Sequence, residues 1–405
     1  MKRIISLIIV TIIAVGVMQA QNNNAYSHQQ GTSNTATQTQ TGGDNDATIY
    51  QGDFQGGWDQ INGVAHQTQT GNRNAAEIKQ RSGSWASGNT SYQIQLGDDN
   101  RAYSTMWNAA NYSYQTQEGL ENYTKVKIAG DKNSAYVSQI GNLNKAHTEL
   151  TGGVNSNYSF TSQIGNSNKG YVQAKGDFNQ MYIQQFGDNN EAGIDPWYGD
   201  ADVDGIKNVG ILIEGDNNRA SELQDGYKNQ ATYGVYGYNN LFTGMQIGDE
   251  NIYKIDQYTW KDVENYSNQV MVMQNGTKNE TYAKLKGDMN TINFMQYGYK
   301  NLIEGLTTPE FKYEGDNSTI NIYQTGTENI TKGEIHNSNG LVDIYQSGMN
   351  NLTEVEVGSS LLHHNMIDVD QMGMDNYAKV QQTTNGNTAT IFQNGNSNSS
   401  VVIQH

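Results

Sequence analysis

The stretch Gln139-Ile140-Gly141-Asn142-Leu143-Asn144-Lys145-Ala146 holds the pattern that decides the fold. Its skeleton, Gln-x-Gly-x-x-Asn, occurs sixteen times, opening at Gln29, Gln40, Gln69, Gln95, Gln117, Gln139, Gln163, Gln185, Gln224, Gln246, Gln274, Gln296, Gln324, Gln346, Gln371 and Gln393. The commonest spacing between successive copies is 22 residues, and most of the others exceed it by a few. A fixed period of this size marks a solenoid, in which each repeat is one supersecondary unit stacked on the next.

Weaker copies keep the Gly and Asn but lack the Gln, as in Gly130-Asp131-Lys132-Asn133, Gly176-Asp177-Phe178-Asn179, Gly237-Tyr238-Asn239-Asn240 and Gly287-Asp288-Met289-Asn290. They stand 11 residues from their strong neighbours. The unit is therefore an 11-residue strand plus turn, and 22 residues make one two-strand rung. About 32 such units, or about 16 rungs, would stack to roughly 75 Å at ~4.8 Å per rung. The expected fold is an all-β solenoid with amyloid-like cross-β stacking.

Strand periodicity assigns the faces. Taking every second residue gives Asn133, Ala135, Val137, Gln139; then Asn144, Ala146, Thr148, Leu150; then Asn179, Met181, Ile183, Gln185. The last unit gives Asn398, Ser400, Val402, Gln404 and the first Asn23, Ala25, Ser27, Gln29. This set is read as inward, and the Lys, Thr, Glu and Tyr between them as outward. Stacked Asn and Gln amides form continuous hydrogen-bonded ladders. The sixteen Gln residues are the ladder candidates, with Asn34, Asn144, Asn168, Asn376 and Asn398 beside them. Gly31, Gly97, Gly141, Gly165, Gly248, Gly326 and Gly395 are the candidate turn glycines, because a tight reversal needs positive φ. The Asn after each turn is expected to tolerate left-handed geometry. Two residues after the Asn of the sixteen strong units, Ala stands eight times and Gly, Thr or Ser six times, which lets two sheets approach; Tyr253 and Ile303 are the exceptions.

Composition agrees with a fold that lacks an oily core. Hydrophobic residues are 35% of the 405, Gly numbers 44 and Pro only 2, and Cys is absent. So little apolar surface would normally leave a chain disordered, unless ladders and repetition supply the stability. The net charge of -17 disfavours nucleic acid, which needs a basic patch.

Residues 1-20 read differently. Lys2 and Arg3 precede the apolar run Ile4 to Val17, and Ala20 closes a cleavage site before Gln21, the layout of a secretory signal. Residues 22-405 then form the repeat array, with no later segment apolar enough to span a bilayer. The mature protein is expected outside the membrane, exported.

Extra residues interrupt the array near 53-62, 83-88, 198-206, 260-267, 305-312 and 359-364. Nearly all follow a weak turn, so they are expected to emerge along one edge. Trp58, Trp85 and Trp260 lie in them, with Pro196, Trp197 and Pro309 in or beside them. The register between 196 and 215 is open, as a long loop or an added strand.

The chain resembles the curli subunits, the curlin-repeat family of secreted amyloid fibres, whose repeat reads Ser-x5-Gln-x-Gly-x-x-Asn-x-Ala-x3-Gln. Asn34-Thr35-Ala36-x3-Gln40, Asn74-Ala75-Ala76-x3-Gln80 and Asn376-Tyr377-Ala378-x3-Gln382 carry the second half of that pattern. The family's Ser is mostly Asn, as at Asn89, Asn133, Asn157 and Asn387, and the array is longer than is typical. The resemblance implies a subunit secreted through an outer-membrane channel and polymerised at the cell surface, with a nucleator subunit, into biofilm fibres.

The residues point the same way independently. The array is expected to run from Asn23 to Gln404 without polar caps, and open strand edges template further strands. Units 376-404 of one copy would meet units 23-42 of the next, a contact that yields a filament. The rival is a monomeric solenoid adhesin or glycan-binding surface protein using the Trp-bearing loop edge.

Other constellations are weaker. Asp at turns, as in Gly97-Asp98-Asp99, Gly215-Asp216 and Gly315-Asp316, either limits sideways association or reflects the ordinary turn preference of Asp. Tyr103, Tyr136, Tyr171 and Tyr182 share one repeat position as an outward stripe, or reflect strand propensity alone. The seven histidines lack metal-ligand spacing, with His363-His364 the one adjacent pair in an inserted loop. Carboxylates are spread among turns and not gathered in a groove, so neither catalysis nor a cofactor is expected.

Overall fold

The computed structural model describes residues 22–52, 60–81, 88–151, 156–193, 211–256, 266–305 and 311–405. The signal at 1-20, and Trp58, Trp85, Pro196, Trp197, Trp260 and Pro309, lie outside the described residues. All described elements are strands, and their pairings are parallel. The chain divides into two compact units, one ending at Ser167 and the other beginning at Asn168.

In the first unit the chain alternates between two sheets. The first sheet stacks Thr35–Thr41, Val64–Thr70, Thr90–Leu96, Tyr112–Glu118, Ser134–Ile140 and Tyr158–Ile164. The second stacks Asn24–Gln29, Asp46–Gln51, Ala75–Arg81, Arg101–Trp107, Tyr123–Ala129 and Lys145–Thr151. In the second unit the first sheet has nine strands, from Gln180–Asp188 to Thr388–Asn396. Six and nine turns make 15, one fewer than the motif count suggests. The difference is Gln29, which stands in the second sheet opposite Gln51 and so opens no first-sheet turn.

Alternation along each strand builds a dry interior. Ala135, Val137 and Gln139 are buried, as are Ala146, Thr148 and Leu150, and Met181, Ile183 and Gln185. The core is thus a mixture of aliphatic groups and amides. Outward positions carry ion pairs across turns, such as Lys127–Glu149 at 2.7 Å and Lys332–Glu304 at 2.9 Å. Pairs this exposed contribute about 0–1 kcal/mol each.

Most of the inserted residues lie outside the described residues, and the strands that flank two of the insertions are described. Glu191–Gly193 and Ile211–Glu214 both pair with Lys169–Lys175, in register before and after the intervening residues. That second-sheet strand therefore breaks off after Gly193 and resumes in register at Ile211, and residues 196–210 lie outside the described residues. Leu302–Glu304 and Phe311–Glu314 repeat the arrangement against Glu280–Lys286. The neighbouring strands supply a continuous template, so pairing resumes at the next matching residue. At 359-364 there is no loop. Residues 359–363 lie in strand Leu352–His363, where Val357 pairs with Ile335 and Leu362 with Asn337 across a bulge, and His364 follows the strand as a turn residue with φ of 60°. Gly358, with φ of 60°, starts the bulge.

Candidate functional site

The candidate site is the set of amide ladders. In the first unit each motif Gln donates Nε2–H to Oε1 of the next: Gln40 to Gln69, Gln69 to Gln95, Gln95 to Gln117, Gln117 to Gln139 and Gln139 to Gln163, at 2.7–3.0 Å. The second Nε2 hydrogen crosses to the opposite sheet, as from Gln117 to the Arg101 carbonyl and from Gln139 to that of Tyr123. Each ladder amide thereby ties two neighbouring turns and both sheets together. Gln29 joins a different ladder, donating to Gln51, which donates to Gln80.

The second unit repeats the ladder from Gln185 through Gln224, Gln246, Gln274, Gln296, Gln324, Gln346 and Gln371 to Gln393, at 2.7–2.9 Å. There the small residue after the Asn does more than save space. The hydroxyls of Thr281, Thr331 and Thr353 donate to Oε1 of Gln296, Gln346 and Gln371.

The Asn residues form parallel ladders. Asn144 receives nothing from chance geometry: its N–H and Nδ2 both reach Oδ1 of Asn122, and Nδ2 also donates to the Gly165 carbonyl of the next turn at 2.7 Å. Asn168 accepts from the Asn190 N–H and donates to the Gly187 carbonyl. Asn376 bonds to Asn351 and accepts from Asn398. Asn34 accepts from the Gly63 N–H.

The turn glycines Gly31, Gly97, Gly141, Gly165, Gly248, Gly326 and Gly395 have φ between 103° and 122°. At Gly141 a second constraint applies, because a Cβ there would collide with the Gly165 carbonyl oxygen. The left-handed residue of the turn is not the Asn. It is the residue before it, such as Leu143 with φ of 59°, Asp99 at 59° and Lys228 at 55°. The Asn itself is held by its three hydrogen bonds, which need the strand backbone.

Three features lie beyond the sequence reading. A second Gln ladder runs Gln38–Gln67–Gln93–Gln115 at 2.7–3.0 Å, signalled by Gln two places before the motif Gln. Polar residues directly after the turn Gly accept an N–H from the preceding turn, as Asp98 does from Asn72, Asp216 from Asp177 and Asp316 from Asp288. The turn aspartates are therefore acceptors in a ladder of their own. The tyrosines do not make one stripe, since Tyr103 lies in the second sheet and Tyr136 in the first, as alternate units change sheet. Tyr136 stands in a column with Tyr114 and Tyr92, whose rings are 6.1–6.4 Å apart. His363 and His364 have ring centroids 6.4 Å apart. Among the described residues no group of three His, Cys, Asp or Glu could hold a metal ion.

Parallel strands, two alternating sheets and amide ladders in the interior define a β-solenoid of the cross-β kind. Residues 373–405 match the family model of the curlin associated repeat. That segment is therefore similar to a curlin associated repeat, and its turn and ladder geometry recurs in both units. No curated protein matches the chain.

Proposed function

We propose that the chain is a secreted structural subunit that self-assembles head to tail into an extracellular, curli-like fibre serving adhesion and biofilm matrix. The observation that carries the reading is the polarity of the ladders. The Gln–Gln bonds of the ladders run from the lower to the higher residue number, and Gln404, last in its column, has one Nε2 hydrogen on the Thr388 carbonyl and the other unused. Gln29 donates to Gln51, and its own Oε1 accepts nothing within the described residues. A donor at one end and an acceptor at the other suit a second copy of the chain. The inward Ala25 is exposed whereas Ala47, one turn along, is fully buried, and at the other end the inward Ser400 and Val402 are half-buried.

Both terminal strands, Asn24–Gln29 and Ser399–Gln404, belong to the second sheet, so that sheet would carry the junction. The first sheet would be one strand short there. By the family resemblance, an outer-membrane secretion channel and a nucleator subunit are the further partners; the basic and apolar layout of residues 1-20 supports export, and the spread of carboxylates among turns supports a structural role.

The backbone supplies a clean test. Carbonyls of Asn398 and Gln404 accept from Tyr377 of the preceding strand and from Thr383 just after it, so Val401 and Ile403 turn their N–H groups away from that strand. Proline at those two positions removes outward donors while sparing the internal pairing. The doubly substituted chain, V401P/I403P, should lose elongation in an amyloid-dye assay. Elongation at the wild-type rate sinks the head-to-tail reading, and persistent monomers of the wild type under electron microscopy sink the fibre itself.

A further inference from the structure

The second unit buries an acid that no ladder uses. Glu222 occupies an inward position of strand Arg219–Tyr227, in a column with Ile183 before it and Gly244 after it. Elsewhere this column holds Val272, Phe294, Ile322 and Ile344, all buried and apolar. Glu222 is 2% exposed, and neither carboxyl oxygen has a hydrogen-bond partner.

The surroundings are shaped to that side chain. Gly244 leaves its column position empty, and a Cβ there would collide with both the Tyr253 hydroxyl and Glu222 Oε2. Carboxyl and phenol therefore converge on the space above Gly244. This accounts for Tyr253, a large residue where the repeat wants a small one: its ring reaches across to fill what Gly244 vacates. Tyr233 completes the cluster, stacked on Phe242 at 3.9 Å between centroids, with its own hydroxyl unpartnered.

Among the described residues no cation faces the carboxyl. The inward residues around it are Ile183 from Gln180–Asp188, Phe242 and Gly244 from Leu241–Asp249, Ala192 from Glu191–Gly193, Ile211 and Ile213 from Ile211–Glu214, Tyr233 and Val235 from Gln230–Tyr236, and Tyr253 and Ile255 from Ile252–Asp256. Tyr233 and Tyr253 are the titratable groups among them. An ionised carboxylate there would lose its hydration and gain neither counter-charge nor donor, so it protonates instead.

We infer that Glu222 couples formation of the second unit to uptake of a proton: the turns close around the neutral acid, and a chain whose Glu222 is ionised in solution must be protonated to close. The coupling is independent of whether the chain polymerises. Burial pushes the Glu222 carboxyl well above its ordinary value of 4.5, and burial followed by the Glu222 charge raises the Tyr233 phenol. A folded value above the unfolded one means that the contribution is complete below 4.5 and is lost as pH rises through the folded value. Within that window the folding equilibrium falls about tenfold per pH unit. The unit would thus close most readily in acid and hold less firmly toward neutral pH.

The test follows the opening equilibrium of amides in strands Arg219–Tyr227 and Gln230–Tyr236 by hydrogen exchange on the full chain, from about pH 5 to about pH 8. In the wild type, opening should grow by up to about tenfold per pH unit after correction for intrinsic exchange. E222Q keeps the shape and cannot ionise, so its dependence should vanish. E222M, with an apolar side chain of the kind that fills the column elsewhere, carries the same expectation should the amide itself disturb the fold. A first-unit control, E149Q, should retain the wild-type slope in these strands. A wild-type slope surviving in both E222Q and E222M, or no slope in the wild type, overturns the inference.

Discussion

Gln117 donates its side-chain amide to Oε1 of Gln139 at 3.0 Å, and both residues are buried. Gln139 passes the pattern on to Gln163 at 2.7 Å and to the Tyr123 carbonyl of the other sheet at 3.1 Å. One side chain therefore satisfies groups on three neighbours. Gln139→Leu should leave those groups unpaired, at about 1–3 kcal/mol each before relaxation. Gln139→Glu should be worse, since it replaces two donors by a buried charge. The next residue, Ile140, is 43% exposed. Ile140→Thr should stay within about 0.5 kcal/mol of wild type. Denaturant midpoints of the three variants check the order, and equal effects at 139 and 140 would contradict the ladder account.

The turn glycines separate two kinds of strain. Gly141 combines φ of 114° with a neighbouring carbonyl where a Cβ would stand. Gly386 has φ of 72° and nothing within 4 Å of its missing Cβ. Gly386→Ala should therefore cost only the left-handed backbone strain, about 1–2 kcal/mol. Gly141→Ala must also push apart two stacked turns and should cost clearly more. Thermal unfolding of the two variants measures the gap.

These positions explain which parts of the fold could be read from sequence. Gly141 and Asn144 repeat because every turn presents the same contact to the next, so a residue type is demanded each time. Leu143 shows the opposite case. Its position is left-handed in every strong turn described, yet it is filled by Ser, Asp, Arg, Glu, Leu, Lys and Asn, because its side chain faces water. No residue pattern marks it. The break in pairing after Gly193 was equally hidden, since the pairing that resumes at Ile211 is dictated by Lys169–Lys175 and not by local sequence. The swap of Gly244 for bulk and Tyr253 for smallness is a contact across sheets, invisible to a period.

The turn aspartates offer a choice between charge and hydrogen bonding. Asp216 accepts the Asp177 N–H through Oδ1 at 2.6 Å. Asp216→Asn keeps that acceptor and removes the charge, so stability should change little. Asp216→Ala removes the acceptor and should cost about 1 kcal/mol. Equal losses in both variants would instead favour a role for the charge. Fluorescence-monitored denaturation distinguishes these outcomes.

Alkaline titration reports on one well-defined phenol. Tyr282 is half-buried, and its hydroxyl donates to Oε2 of Glu280 at 3.2 Å. Burial first, and then the Glu280 charge and hydrogen bond, raise it from 10.0 to about 12. Because the folded value lies above the unfolded one, its stabilising contribution is fully present below pH 10.0 and is lost as pH rises through about 12. The protein has 26 tyrosines, so the signal must be taken as the difference in tyrosinate absorbance between wild type and Y282F. That difference should titrate near 12, and E280Q should shift it downward without restoring 10.0, since burial remains. A Tyr282 signal already complete at 10.0 would mean that the phenol is neither buried nor bonded to Glu280 in solution.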